Sequence, residues 1–138
     1  MIARIIGIFL IAHGLVHAIL AAAPIPNDPA PRPGAFFTAP ARSWLLSKLG
    51  ASEAVGQWTG IVLVVMATIG FILAGMGVLG VPGLSAIWRT TAVISAALSL
   101  LLLIIFWHSW LIVGVLIDVV ILVSLLWLNW PSQSLMGL

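Results

Sequence analysis

The stretch Leu111-Ile-Val-Gly-Val-Leu-Ile-Asp118-Val-Val-Ile-Leu-Val-Ser-Leu-Leu-Trp127 is hydrocarbon apart from one carboxylate and one hydroxyl. Extended to the tryptophans at 110 and 130, it reaches the roughly 20 residues that cross a bilayer as a helix. A carboxylate in the middle of such a span costs roughly 2.5–3.5 kcal/mol on insertion scales, so it needs a partner. Asp118 is the only acid between Val55 and the C-terminus.

Working outward, three more segments have the length and apolarity of spans: residues 2–23, 56–79 and 86–106. The composition agrees, with 63% hydrophobic and only 6% charged residues. A soluble domain carries about 25% charged residues, so this surface suits lipid. The predicted fold is all-α: a single integral membrane domain, built as an antiparallel bundle of four transmembrane helices with a proline-rich first loop and a short interfacial helix. Strands are excluded because the apolar runs lack the ten-residue alternation of a membrane barrel. The segment 2–23 is longer than the apolar region of a secretory signal and is expected to be a retained span.

Punctuation between the spans follows from local chemistry. Ser52 with Glu53 marks the start of the second span and Gly80 its end. Pro82-Gly83 forms the next turn, with Ser85 as the expected cap of the third span. Ser109 is the expected cap of the fourth, and Pro131 its stop. The first loop begins with Pro24-Ile-Pro-Asn-Asp-Pro-Ala-Pro-Arg-Pro33, which is expected to be extended. It continues to Ser43-Trp-Leu-Leu-Ser-Lys-Leu-Gly50, a short helix capped by Ser43 and ended by Gly50, with Trp44, Leu45, Leu46 and Leu49 directed at the bundle or the headgroups.

Small residues mark where helices approach in lipid. Gly7, Gly14 and Ala21 form a stripe on the first span, Gly70 and Ala74 on the second, and Ala92 and Ala96 on the third. Gly114 precedes Asp118 by one turn and leaves room for a neighbour there.

Depth can be compared at about 1.5 Å per residue. His13 falls at the centre of the first span, and His17 lies one turn nearer the first loop. Asp118 falls between them in height. Ser99 and Thr68 lie at similar depth in the third and second spans, which makes His13, His17, Asp118, Ser99 and Thr68 the candidate polar centre. Two imidazoles spaced i,i+4 project from one helix face. With a carboxylate from another helix they form a metal-ligand set of His13, His17 and Asp118, suited to iron, zinc or copper. The same three residues also suit a hydrogen-bonded clamp between first and fourth spans, or a protonatable pair that orients a ligand. A metal, a haem or a quinone are the cofactors such a centre could take.

His108, between Trp107 and Trp110, is expected to anchor its helix end in the interface, and most of the seven tryptophans fall at span ends as an aromatic belt. Arg4 and Arg89 are expected to reach lipid phosphates from the opposite face. Arg32, Arg42 and Lys48 lie on the loop face, so the basic residues set no orientation. No basic stripe exists for nucleic acid. The absence of cysteine excludes disulfides, thiolate metal sites and a thiol relay.

The opening Arg4-Ile-Ile-Gly-Ile-Phe-Leu-Ile-Ala-His13-Gly14-Leu-Val-His17 resembles the first helix of DoxX-like small bacterial membrane proteins, which have four spans and a His-Gly pair in the first. The resemblance implies a prokaryotic inner-membrane subunit, in some members tied to quinone-linked oxidation. This chain differs in its long proline-rich loop and in the Gly114-x-x-x-Asp118 element. Two functions follow as expectations. One is a membrane subunit or binding module for a hydrophobic ligand (quinone or lipid), a membrane-protein partner or a second copy of the chain. The other is an intramembrane enzyme or redox subunit using His13, His17 and Asp118.

Overall fold

A computed structural model describes residues 1–25, 35–38, 43–132 and 135. The expected extended stretch falls, from residue 26 onward, outside the described residues. Among the described residues there are only helices and turns: α1 (Ile2–Ala22), α2 (Ala35–Thr38), α3 (Trp44–Lys48), α4 (Glu53–Val78), α5 (Trp88–Ile105) and α6 (Ile112–Leu126), the last entered through a 3-10 turn at Ser109–Leu111. Four stretches, Ile2–Ala22, Glu53–Val78, Trp88–Ile105 and Ser109–Leu126, are long and apolar enough to cross a membrane.

Helix ends follow capping chemistry more than the run of apolar residues. Ser52 accepts from the Val55 N–H and starts α4 at Glu53, and Gly80 takes a left-handed φ of 90° just past its end. Ser85 does not cap α5. Its hydroxyl turns back to the Val81 carbonyl, and α5 begins at Trp88 without a side-chain cap. Ser109 does not cap α6 either, because the His108 side chain accepts from the Trp110 N–H there. Nor does Pro131 stop α6. The helix ends at Leu126, where Arg89 from α5 donates to the Leu125 carbonyl at 2.5 Å and to Asn129 Oδ1 at 3.1 Å. That guanidinium caps a helix C-terminus, where carbonyls are unpaired and a cation is favoured, rather than reaching to a phosphate.

Glycine decides how closely α1 lies on α4. A Cβ at Gly14 would meet Phe71 Cβ and the Thr68 carbonyl, each at 2.9 Å, and one at Gly7 would meet Leu79 Cγ at 2.7 Å. Along this seam residue numbers fall on one helix as they rise on the other, and the same holds for α4 on α5 (Gly70 by Ser95, Gly77 by Trp88) and for α5 on α6 (Leu103 by Gly114, Arg89 by Leu125). Ala74, Ala92 and Ala96 are fully buried in these contacts. The helices α1, α4, α5 and α6 thus pack as a row of neighbours, while α1 and α6 share no comparable contact.

Two apolar clusters fill the interior. One, toward the first loop, includes Phe36, Phe37, Leu63, Leu102 and Phe106; the other includes Leu10, Phe71, Ala74, Trp88 and Ile121. Between the clusters α1, α5 and α6 contribute buried polar side chains: His13 and His17, Ser99, and Asp118. The loop closes the first cluster. Phe37 is fully buried, and its carbonyl lies where a Cβ on Gly60 would stand. The short helix expected in the loop forms, with Ser43 capping α3 and Gly50 left-handed after it. Ser43 Oγ donates to the Ile105 carbonyl at 2.9 Å and Trp44 Nε1 to the Ile104 carbonyl at 2.7 Å, satisfying the open end of α5. Leu45 and Leu46 pack on the first cluster, whereas Leu49 is exposed.

Candidate functional site

The polar layer brings together four of the five expected residues. Asp118 is fully buried, and His13, His17 and Ser99 are each no more than 6% exposed. The energetic requirement on Asp118 is met from α1: His13 Nε2 donates to Asp118 Oδ1 at 3.0 Å. The other carboxyl oxygen, Oδ2, lies 2.5 Å from Ser99 Oγ, and Ser99 Oγ lies 2.6 Å from His17 Nε2. His17 Nδ1 donates to the His13 carbonyl at 2.9 Å, one turn back on its own helix. A carbonyl can only accept, so this bond fixes a proton on Nδ1 and leaves Nε2 to face Ser99. A continuous chain of contacts runs His17–Ser99–Asp118–His13 across three helices.

Aromatic rings enclose the imidazoles. Phe9 stacks on His13 with centroids 6.1 Å apart, and Phe71 meets His13 edge-on at 4.8 Å and stacks on His17 at 6.0 Å. Such surroundings keep water out and strengthen each internal hydrogen bond. Phe71 and Phe9 were not singled out in the sequence, although Phe9 stands one turn before His13 and Phe71 faces Gly14.

Thr68 does not join the centre. Its Oγ1 is buried without a hydrogen-bond partner. It has the right depth on α4, but the face turned toward the imidazoles is that of Phe71. His108 sits at the turn between α5 and α6, where it caps the 3-10 helix and meets Phe36 edge-on at 5.7 Å, with Trp107 and Trp110 exposed on either side. It is not part of the polar layer.

Two familiar chemistries can be weighed on this geometry. In a hydrolase triad, serine stands at the end of the chain, activated by a histidine that a carboxylate orients. Here serine stands in the middle, between His17 and Asp118, with both sides of its oxygen occupied. One donor atom each from His13, His17 and Asp118 lie within 4.8 Å of one another. An ion at about 2.0–2.1 Å from each donor would replace the proton between His13 and Asp118 and the His17–Ser99 contact. As they stand, the donors are hydrogen-bonded in the manner of a clamp, and their spacing is also close enough to share an ion.

One turn from the clamp lies an apolar cleft of about 120 Å³ between α1 and α6, lined by Ile6, Phe9, Leu10, Val120, Ile121 and Ser124, with Trp88 and Trp130 among its further walls. No known family's model matches this chain, and comparisons with curated proteins and with solved structures gave no match.

Proposed function

We propose that this chain is an integral membrane protein of four antiparallel spans, in a prokaryotic inner membrane, that binds a hydrophobic small ligand of quinone or lipid type between α1 and α6. The opposed residue order along each helix seam supports the antiparallel spans. The resemblance of the opening helix to DoxX-like proteins supports the compartment and the ligand class.

The observation that carries the reading is where the cleft lies. Phe9 and Leu10 precede His13 by one turn, and Ile121 follows Asp118 by one turn. The cleft therefore adjoins the polar clamp on both helices, along a seam where α1 and α6 pack less closely than the other neighbours. An apolar cavity of about 150 Å³ stays dry and accepts a benzene-sized ring. A cleft of about 120 Å³ therefore takes one small ring or a short run of acyl chain, and is too small for a haem.

The test is photolabelling in lipid nanodiscs with a diazirine-bearing quinone analogue, followed by mapping of the adducts. Labels are expected on Ile6, Phe9, Val120 and Ser124, and Ser124→Phe, which fills the cleft, should remove them. Adducts spread evenly over the lipid-facing sides of α1 and α6, unaffected by Ser124→Phe, would refute the site.

A further inference from the structure

The contacts of the polar layer specify how many protons it holds. Four hydrogen bonds connect its members: His17 Nδ1 to the His13 carbonyl, His17 Nε2 with Ser99 Oγ, Ser99 Oγ with Asp118 Oδ2, and His13 Nε2 with Asp118 Oδ1. Each needs one proton between its heavy atoms. Two neutral imidazoles and one hydroxyl, around an ionised carboxylate, supply three. With three protons, either the 2.6 Å His17–Ser99 contact or the 2.5 Å Ser99–Asp118 contact would set lone pair against lone pair. That layer would also bury a net negative charge in an apolar bundle. A fourth proton removes both problems, leaving the layer neutral with every bond made.

We infer that His17, Ser99 and Asp118 form a proton-transfer site that shares this fourth proton. Two arrangements satisfy the four bonds with His13 donating to Asp118. In one, Asp118 carries the proton on Oδ2 and donates to Ser99, and Ser99 donates to the bare Nε2 of His17. In the other, Asp118 is a carboxylate accepting from Ser99, and His17 is an imidazolium donating to Ser99. They interconvert by two transfers: the Asp118 O–H proton passes to Ser99 as the Ser99 proton passes to His17 Nε2. One O–H bond at Asp118 breaks and one N–H bond at His17 forms, Ser99 exchanges one proton for another, and no co-reactant is needed. Ser99 is the positioning group of the path, because its single oxygen touches both ends. This inference does not depend on the ligand reading, since every atom in it belongs to the chain.

The test is nuclear magnetic resonance of the full chain in lipid bilayers, with ¹⁵N-labelled histidine and ¹³C-carboxyl-labelled aspartate. The sequence has only two aspartates, so Asp28→Asn leaves Asp118 as the sole carboxyl signal. Exactly one of the Asp118 carboxyl and His17 Nε2 is expected to bear a proton, with the two signals moving together as temperature shifts the balance. A carboxylate found with a bare Nε2, or an acid found with an imidazolium, overturns the shared proton. Ser99→Thr keeps the hydroxyl and is expected to keep the linked movement, while Ser99→Ala is expected to abolish it. Linked movement of unchanged size in Ser99→Ala overturns the path through serine. The measurement on the otherwise unaltered chain decides the proton count even where a Ser99 variant fails to fold.

Discussion

Replacing Asp118 separates a hydrogen-bonding role from a charge role. In Asp118→Leu, His13 Nε2–H loses its acceptor and Ser99 loses one of its two partners. Side-chain hydrogen bonds between membrane helices average about 0.6 kcal/mol and reach about 1.7, so two lost bonds come to about 1–3 kcal/mol. The donor left buried on His13 moves the cost toward the upper part of that range, while removing a carboxyl from an apolar bundle offsets some of it. A net loss of about 2 kcal/mol lowers the folded-to-unfolded ratio roughly 30-fold. Asp118→Asn behaves differently. The amide oxygen accepts from His13, the amide N–H donates to Ser99, and Ser99 donates to His17, so all four bonds survive. That variant should lie within about 1 kcal/mol of the parent. Unfolding in mixed micelles, followed by tryptophan fluorescence, measures both. An amide variant as damaged as the leucine one, or a leucine variant as stable as the parent, would refute the reasoning.

Three further outcomes are expected. Thr68→Val should stabilise the protein by about 1 kcal/mol in the same assay, because Oγ1 is buried without a partner and a methyl replaces it at nearly equal volume. Gly14→Ala should cost about 1–3 kcal/mol, since its Cβ strikes the Thr68 carbonyl and Phe71, whereas Gly114→Ala meets only the tip of Leu103 and should be close to neutral; parallel thermal melts compare them. Ser43→Ala removes the cap of α3 and its bond to the Ile105 carbonyl, so a lysine-specific protease should cut several-fold faster after Lys48, the only lysine in the chain.

The four spanning-length helices were legible because twenty-residue apolar runs and their glycines permit little else. The pairing of Asp118 with His13 was legible from energetics and depth. Helix ends were less so. Ser85 and Ser109 carry the right chemistry for caps, but α5 starts without a side-chain cap, His108 accepts at the turn before α6, and Arg89 meets the end of α6 from another helix. Thr68 was misplaced because counting along a helix gives height and not the direction a side chain faces. The buried pair Phe36-Phe37 had no signal, being two apolar residues in an irregular loop without periodicity. The cleft was invisible because it depends on the spacing of α1 and α6, which no pattern within either helix encodes.

The partners in the clamp are far apart in the chain: His13 and Asp118 are separated by 105 positions. Synthesis runs from the N-terminus, so α1 enters the bilayer before α6 exists. Until then His13 Nε2 lacks its acceptor and Ser99 has only His17 as a side-chain partner. A chain that stalls or is cleaved before residue 118 cannot close this centre, however well its first three spans insert. The polar layer is therefore complete only once α6 has docked against α1 and α5.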